Sequence, residues 1–147
     1  MNESLGFVMA DVARLMRRDF DARARAIGVT NAQWRTLKTL ARNEGSNQGA
    51  LAEMLEVEPI TLARMLDRLE EAGLIERRRD PADRRAWRIH LTPAAEPLIG
   101  QLHTITDALI ANALTGVSET DQARLRRTLE HIRTNLSPDD TKEAANG

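Results

Sequence analysis

The stretch Arg77 to Arg88 constrains the fold of this chain more than any other. It holds six arginines and two aspartates in twelve residues, a local charge of +4 in a chain of net charge −1. Asp80-Pro81 is a turn signal: proline presets φ, and an aspartate side chain can bond the backbone two residues on. Both flanks suit strands, Leu74-Ile75-Glu76-Arg77 before and the strictly alternating Trp87-Arg88-Ile89-His90-Leu91 after. The stretch therefore reads as a β-hairpin with an arginine-loaded tip, and the remaining periodicity of the chain is helical. Two readings fit such a tip. It is a solvated turn in which Asp80 and Asp83 neutralise part of the charge, or a surface built to lie on a nucleic-acid backbone.

The residues just before the hairpin favour the second reading. Asn47 is a good N-cap for a short helix, Gln48 to Leu55, with Leu51, Met54 and Leu55 on one face. Glu56-Val57-Glu58 breaks it. Pro59 suits the first position of a second helix, where its missing N–H would have no partner anyway. That helix runs to about Ala72, with Leu62, Met65, Leu66 and Leu69 as its buried face and Gly73 as its cap. Ile60, Thr61, Arg64, Asp67 and Arg68 lie on the opposite face. A short helix, a three-residue turn and a longer helix with an exposed polar N-terminal half is how a helix-turn-helix offers side chains to the major groove. An ordinary αα-hairpin has the same outline, but a basic hairpin directly after it is much rarer.

These residues resemble the MarR family of winged-helix transcription regulators. The similarity lies in Ala50 to Leu55, in Leu62 to Arg77, in Asp80-Pro81-Ala82-Asp83-Arg84-Arg85-Ala86 and in Ile89-His90-Leu91-Thr92. The last two segments are its most specific part. Ala95-Glu96-Pro97-Leu98-Ile99 is similar to the SlyA-like branch, in which Ala95 stands where many members have glycine. With the flanking helices, the resemblance spans nearly the whole chain. It implies a mainly α fold with a small β-hairpin wing: a winged helix-turn-helix core between N- and C-terminal dimerisation helices.

The rest of the chain agrees in outline. A helix from Leu5 to about Ile27 carries Leu5, Val8, Val12, Leu15 and Met16 on one face, and Gly28 ends it. Thr30-Asn31-Ala32-Gln33 is a capping box for a helix through Trp34, Leu37 and Leu40. Thr92-Pro93 reads as the start of a long helix with Leu98, Ile99, Leu102, Ile105, Leu109, Ile110 and Leu114 at helical spacing. Ser118 opens a last helix with Leu125, Leu129, Ile132 and Leu136. The expected divisions are 1–29 (dimerisation helix), 30–92 (DNA-binding region), 93–136 (C-terminal dimerisation helices) and 137–147 (flexible tail). The outer apolar stripes exceed what a small core can cover, which predicts association into a homodimer.

Composition removes several classes. The chain has no cysteine, so neither a disulfide framework nor a thiol sensor is possible. No apolar run is long enough to span a bilayer and no signal-peptide pattern is present, so a cytoplasmic protein is expected. His90, His103 and His131 sit one per element, so no metal site is expected, and no cofactor motif is found. No nucleophile or clustered acid–base group points to an enzyme. Four aromatic residues (Phe7, Phe20, Trp34, Trp87) are too few for single-strand binding by base stacking.

A residue-level expectation for double-stranded DNA follows. Pro59, Ile60, Thr61 and Arg64 are the base-facing candidates in the major groove: Arg64 can fork onto guanine and Ile60 can touch a thymine methyl. Arg68, one turn on, is a phosphate contact or an ion-pair partner of Asp67 or Glu71. In the wing, the resemblance implies Arg85 in or over the minor groove, with Asp83 orienting it by an ion pair. Arg77, Arg78, Arg79, Arg84 and Arg88 are phosphate candidates. Strand alternation allows only some of them: if Arg77 and Arg79 face DNA, Arg78 faces away. A two-fold dimer predicts a palindrome with half-sites on the order of 10 bp apart.

The resemblance also implies a pocket for a small aromatic or phenolic effector. Arg14, Arg17, Trp34 and His103 are its candidates, each with a plainer alternative: core for Trp34, surface for His103, solvated or dimer-rim charge for the arginines. Two other outputs fit the sequence, a winged helix with no effector and a winged helix that binds protein.

Overall fold

The computed structural model describes residues 3–137. Six helices and one hairpin follow in the order α1 (Leu5–Ala24), α2 (Asn31–Arg42), α3 (Gln48–Leu55), α4 (Pro59–Glu71), β1 (Ile75–Arg79), β2 (Trp87–Leu91), α5 (Ala95–Ala113) and α6 (Glu119–Leu136). A 3-10 turn, Arg25–Ile27, extends α1. The chain divides into two compact units, 1–109 and 110–147, with the division inside α5. Beyond Ser137, the expected tail lies outside the described residues.

Local chemistry sets most of the boundaries. Gly28 takes a left-handed φ of 70° and closes the turn after α1. At α2 the capping box forms in both directions: Thr30 Oγ1 accepts from Gln33 N–H (3.2 Å), and Gln33 Oε1 accepts from Thr30 N–H (3.0 Å). Asn47 caps α3 through the Ala50 N–H at 2.7 Å. Pro59 takes the first turn of α4, and Ser118 caps α6 through the Asp121 N–H.

One start differs from expectation. The α5 helix begins at Ala95, because Thr92 belongs to the foot of the hairpin. Thr92 N–H donates to the Leu74 carbonyl (3.0 Å) and its hydroxyl to the Gly73 carbonyl (2.5 Å). A hydroxyl engaged there cannot cap a helix.

The core of the first unit gathers Leu37 and Leu40 of α2, Leu51 of α3, Leu62 and Leu66 of α4, Ile75 and Ile89 of the strands, and Leu102 of α5. In α4 the expected stripe is buried at Leu62, Leu66 and Leu69, with Met65 partly buried against it. In α3 the buried set is Leu51, Ala52 and Leu55, while Met54 is 48% exposed. The helix is thus rotated toward its small residue, whose lack of bulk suits close packing against α2 and α4.

The hairpin is antiparallel, with register from Ile75↔Leu91 to Arg79↔Trp87. A third lane joins it from the α2–α3 linker. Gly45 N–H donates to the Ile89 carbonyl, Ile89 N–H donates to the Ser46 carbonyl, and Asn47 bridges Arg88. Gly45 has φ +84°, and a Cβ there would meet the His90 ring at 3.3 Å, so glycine suits this crossing twice over. The wing is therefore stitched to the segment leading into α3.

The outer helices look different. Only Phe20 and Ala24 of α1 are buried, while Leu5, Phe7, Val8, Val12 and Leu15 are exposed. In the second unit, α6 buries none of its residues. Among the described residues, no helix is long and apolar enough to cross a membrane.

Leu66→Ala should cost about 2–5 kcal/mol, because a fully buried leucine leaves a cavity. Met54→Ala should stay within about 0.5 kcal/mol, as exposed positions do. Urea denaturation at one fixed protein concentration checks both, and a loss at Met54 as large as at Leu66 would contradict this rotation of α3.

Candidate nucleic-acid interface

The N-terminal half of α4 turns its polar side outward. Pro59, Ile60, Thr61, Arg64 and Arg68 are all exposed, Ile60 to 64%, because the apolar stripe of the same helix faces the core. Neither Arg64 nor Arg68 has an acid within ion-pair distance among the described residues. The expected partner of Arg68, Asp67, is engaged elsewhere.

That engagement is with Arg77. Its Nη1 lies 2.8 Å from Asp67 Oδ1 and 3.3 Å from Glu70 Oε1. Its Nη2 donates to the Ala63 carbonyl (3.2 Å), and its backbone N–H donates to Glu70 Oε2 (3.1 Å). The side chain is only 15% exposed. Arg77 thus ties β1 to α4 rather than facing outward, which corrects its expected orientation. Alternation puts Arg77 and Arg79 on the face of Ile75 and Ile89, and burial of those isoleucines fixes that face inward. Arg78 and Arg88 share the other face.

The remaining wing arginines divide by partner. Arg78 pairs with Glu76. Arg88 Nε lies 3.3 Å from Asp80 Oδ2. Arg79 stacks over Trp87, with its guanidinium carbon 4.9 Å from the ring centroid, and donates from Nη1 to the Arg84 carbonyl at 3.0 Å. Arg84 and Arg85 are exposed, and among the described residues their side chains have no acidic partner.

Two aspartates build the tip. Asp80 Oδ1 accepts from Ala82 N–H (2.9 Å), and Asp83 Oδ1 accepts from Arg85 N–H (3.0 Å). Asp80 N–H donates to the Ala86 carbonyl, and Ala86 N–H to the Asp83 carbonyl. The Asp-Pro-x-Asp spacing is therefore two consecutive side-chain turns. Asp83 does orient Arg85, but through its backbone; the ion pair implied by the resemblance is not formed, because the carboxylate is drawn into this local turn. The Ala82 N–H holds the Asp80 carboxyl below the usual carboxylate range; partial desolvation opposes this and Arg88 adds to it.

The effector candidates are only partly brought together. Trp34, buried, meets His103 edge-on with centroids 5.1 Å apart. Arg14 pairs with Asp11 at 2.6 Å, and Arg17 is exposed. One groove of about 670 Å³ runs along the α3–α4 turn from Asn47 to Pro59, and another of about 400 Å³ is lined by Gln48, Glu70, Arg77 and Trp87. Neither is lined by any of these four residues. Among the described residues, no cluster of three or more His, Cys, Asp or Glu could hold a metal ion.

Sequence reasoning missed two things here. The sequence places Trp87 in a strand and among the scarce aromatics, but gives no register; the pairing opposite Arg79 brings ring and guanidinium together. The inward role of Arg77 had no local signal, because its partners lie seven or more residues away.

Two outcomes follow. Arg77→Met should lower stability by about 1–3 kcal/mol, because it strips partners from a half-buried joint. Arg85→Ala should fall within about 0.5 kcal/mol of the parent. Thermal and urea unfolding distinguish them, and equal losses would refute this division of roles. Asp80 binds its proton less readily folded than unfolded. The turn it holds should then be intact above an ordinary carboxyl pKa of about 3.9 and be lost only as pH falls through the lower folded value. The Ala82 amide shift followed against pH should show a midpoint below about 3.9; a midpoint above it would contradict this account.

Comparison with known proteins places this geometry. The family model described as "MarR family" matches residues 29–87. The solved structure of transcriptional regulator PA3341 is 38% identical, with 92% of this chain and 99% of that chain covered and a TM-score of 0.78. The structure of transcriptional regulator SlyA is 26% identical over 93% of this chain and 96% of that one, at a TM-score of 0.80. A MarR variant from E. coli, complexed with operator DNA, is 25% identical over 87% and 92%, at 0.77. The helix-turn-helix, β1 and the wing tip fall inside the matched span, the likeness to solved regulators runs through the outer helices at up to 38% identity over 92% of this chain, and together these show that this chain belongs to the MarR family.

Proposed function

We propose that this protein is a sequence-specific, double-stranded DNA-binding transcriptional regulator and not an enzyme, acting as a homodimer on a palindromic operator. One observation carries the reading. In a chain of net charge −1, Arg64 and Arg68 on α4 and Arg84 and Arg85 on the wing tip are exposed and have no acidic partner among the described residues. Most other wing cations are neutralised by Asp67, Glu70, Glu76 or Asp80. Within the helix-turn-helix and wing, charge left open in only these two places favours one orientation of that region on a polyanion over general coating. The likeness to a MarR structure complexed with operator DNA supports the same reading.

On DNA, α4 enters the major groove with Ile60, Thr61 and Arg64 toward base edges and Pro59 at the mouth. Arg68 takes a phosphate. Arg85 reaches the minor groove, Arg84 and the outward faces of Arg78 and Arg88 follow the backbone, and Asp83 shapes the turn that aims Arg85. Arg77 supports the wing, and Arg79 does so in part. The exposed apolar residues of α1 and the uncovered stripe of α6 support pairing with a second copy. Two lobes bound at once raise affinity through effective concentration. A regulator of this kind works where the DNA is, in the cytoplasm of a bacterial-type cell. An aromatic or phenolic effector would be read near the Trp34–His103 contact, and would act only by binding one spacing of the lobes better than another.

Selection of duplexes from a random pool should return a palindrome with the parent chain and much weaker enrichment with Arg85→Ala. On the selected site, Arg85→Ala should flatten the log–log salt dependence by about one unit per lobe, while Arg77→Ala leaves the slope unchanged. No enriched sequence, or equal binding by parent and Arg85→Ala, would overturn the reading.

A further inference from the structure

The wing tip carries the two open arginines, and a tip of exposed residues has little buried surface to hold its shape. Ala82 to Arg85 have no buried member. The side-chain turns of Asp80 and Asp83 order it locally, and Asp80 also pairs with Arg88 of β2, which steadies the first half of the tip. One contact reaches the Arg84 half from the strands. Arg79, the last residue of β1, donates from Nη1 to the Arg84 carbonyl (3.0 Å), which lies between the two halves of the tip. An arginine side chain has many rotamers, and fixing it in that bond needs a second hold. The indole of Trp87 supplies it. Trp87 is the first residue of β2 and is paired in register with Arg79. Its ring lies under the guanidinium, whose carbon sits 4.9 Å from the centroid.

We propose that Trp87 is a positioning residue for DNA binding. Stacked under Arg79, it holds that guanidinium on the Arg84 carbonyl and so presets the conformation in which Arg84 and Arg85 meet DNA. Its 39% exposure then needs no base contact to explain it: the ring is a platform for a cation, at the end of a hairpin where apolar packing has run out. The cation–π attraction at such a site is modest, and its benefit is an ordering cost met before binding instead of during it. The DNA part rests on the function proposed above; the ordering of the tip does not.

The test uses the full chain with Trp87→Phe, Trp87→Leu, Arg79→Met and the double variant Trp87→Leu/Arg79→Met. In free protein, amide hydrogen exchange at residues 84–86 should quicken several-fold in Trp87→Leu and Arg79→Met. It should stay near the parent rate in Trp87→Phe, which keeps a π face. The double variant should exchange no faster than Arg79→Met, because Trp87 acts through Arg79. On the selected duplex, Trp87→Leu should weaken binding by about fivefold per lobe, the scale of one exposed cation–π contact, with an unchanged salt slope. Phenylalanine should restore the affinity; a role in packing alone would let leucine do as well. Unchanged exchange in Trp87→Leu would overturn the proposal. So would additive effects in the double variant, or a lost phosphate contact seen as a flatter slope. If the parent selected no duplex at all, the DNA reading would fail, and the exchange data would still decide whether Trp87 orders the tip.

Discussion

The basic surface of this protein depends on a charge that is not part of it. Arg77 leaves β1 on its inner face and meets Asp67, Glu70 and the Ala63 carbonyl of α4. These bonds make the wing and α4 neighbours of fixed relation. Without them the hairpin would be held by Ile75 and Ile89, by the lane from Gly45 to Asn47, and by the bonds of Leu91 to Glu44 and of Thr92 to Gly73 and Leu74, none of which reaches the outer half of α4. The ion pairs are not valuable as isolated surface contacts, which are worth little. Their worth comes from a half-buried position and from the Ala63 carbonyl, which takes its donor in the tight corner between helix and strand. Two elements proposed to read different grooves must hold one distance, and Arg77 joins them.

From that joint outward, charge is sorted by register. The inner face of the hairpin runs from apolar at Ile75 and Leu91, through Arg77, to the stacked pair Arg79 and Trp87. The outer face carries Arg78 and Arg88, each with a carboxylate close by. Within the helix-turn-helix and wing, guanidiniums are left open only at the tip and on the outer side of α4. A chain with balanced charge thereby makes a directional cationic surface without a net positive field. The family to which it belongs and the solved MarR complex with operator DNA make that surface intelligible as one for a duplex.

A second sorting separates apolar residues. Leucines of α2, α3 and α4 are buried under one another, with α5 contributing Leu102 and Leu109. The apolar residues of the first half of α1 and those of α6 are not. Sequence periodicity looks the same in both groups, since an amphipathic stripe records that a face is to be covered and not by what. The homodimer is the covering proposed here.

Much of the architecture was legible because its signals are local. Thr30 with Gln33, Asn47, Pro59, Gly28 and the Asp80-Pro81 turn each act within four residues, and each sits where its chemistry predicts. The exposed side of α4 followed from the burial of Leu62, Leu66 and Leu69. The errors arose where a distant partner won. Thr92 was drawn from capping α5 by the Gly73 carbonyl. Met54 lost its place in the core to Ala52, through packing against two other helices. Asp83 is the exception: its carboxylate went to the backbone N–H of Arg85, two residues on, a nearer partner than the guanidinium. By itself, then, the sequence determined the order of helices, the hairpin and its arginine-rich tip, because capping, turn formation and periodicity are short-range. Which arginines stay open to a partner was decided only by tertiary structure. An arginine becomes structural or available according to the acids, carbonyls and rings that folding brings within a few ångströms of it.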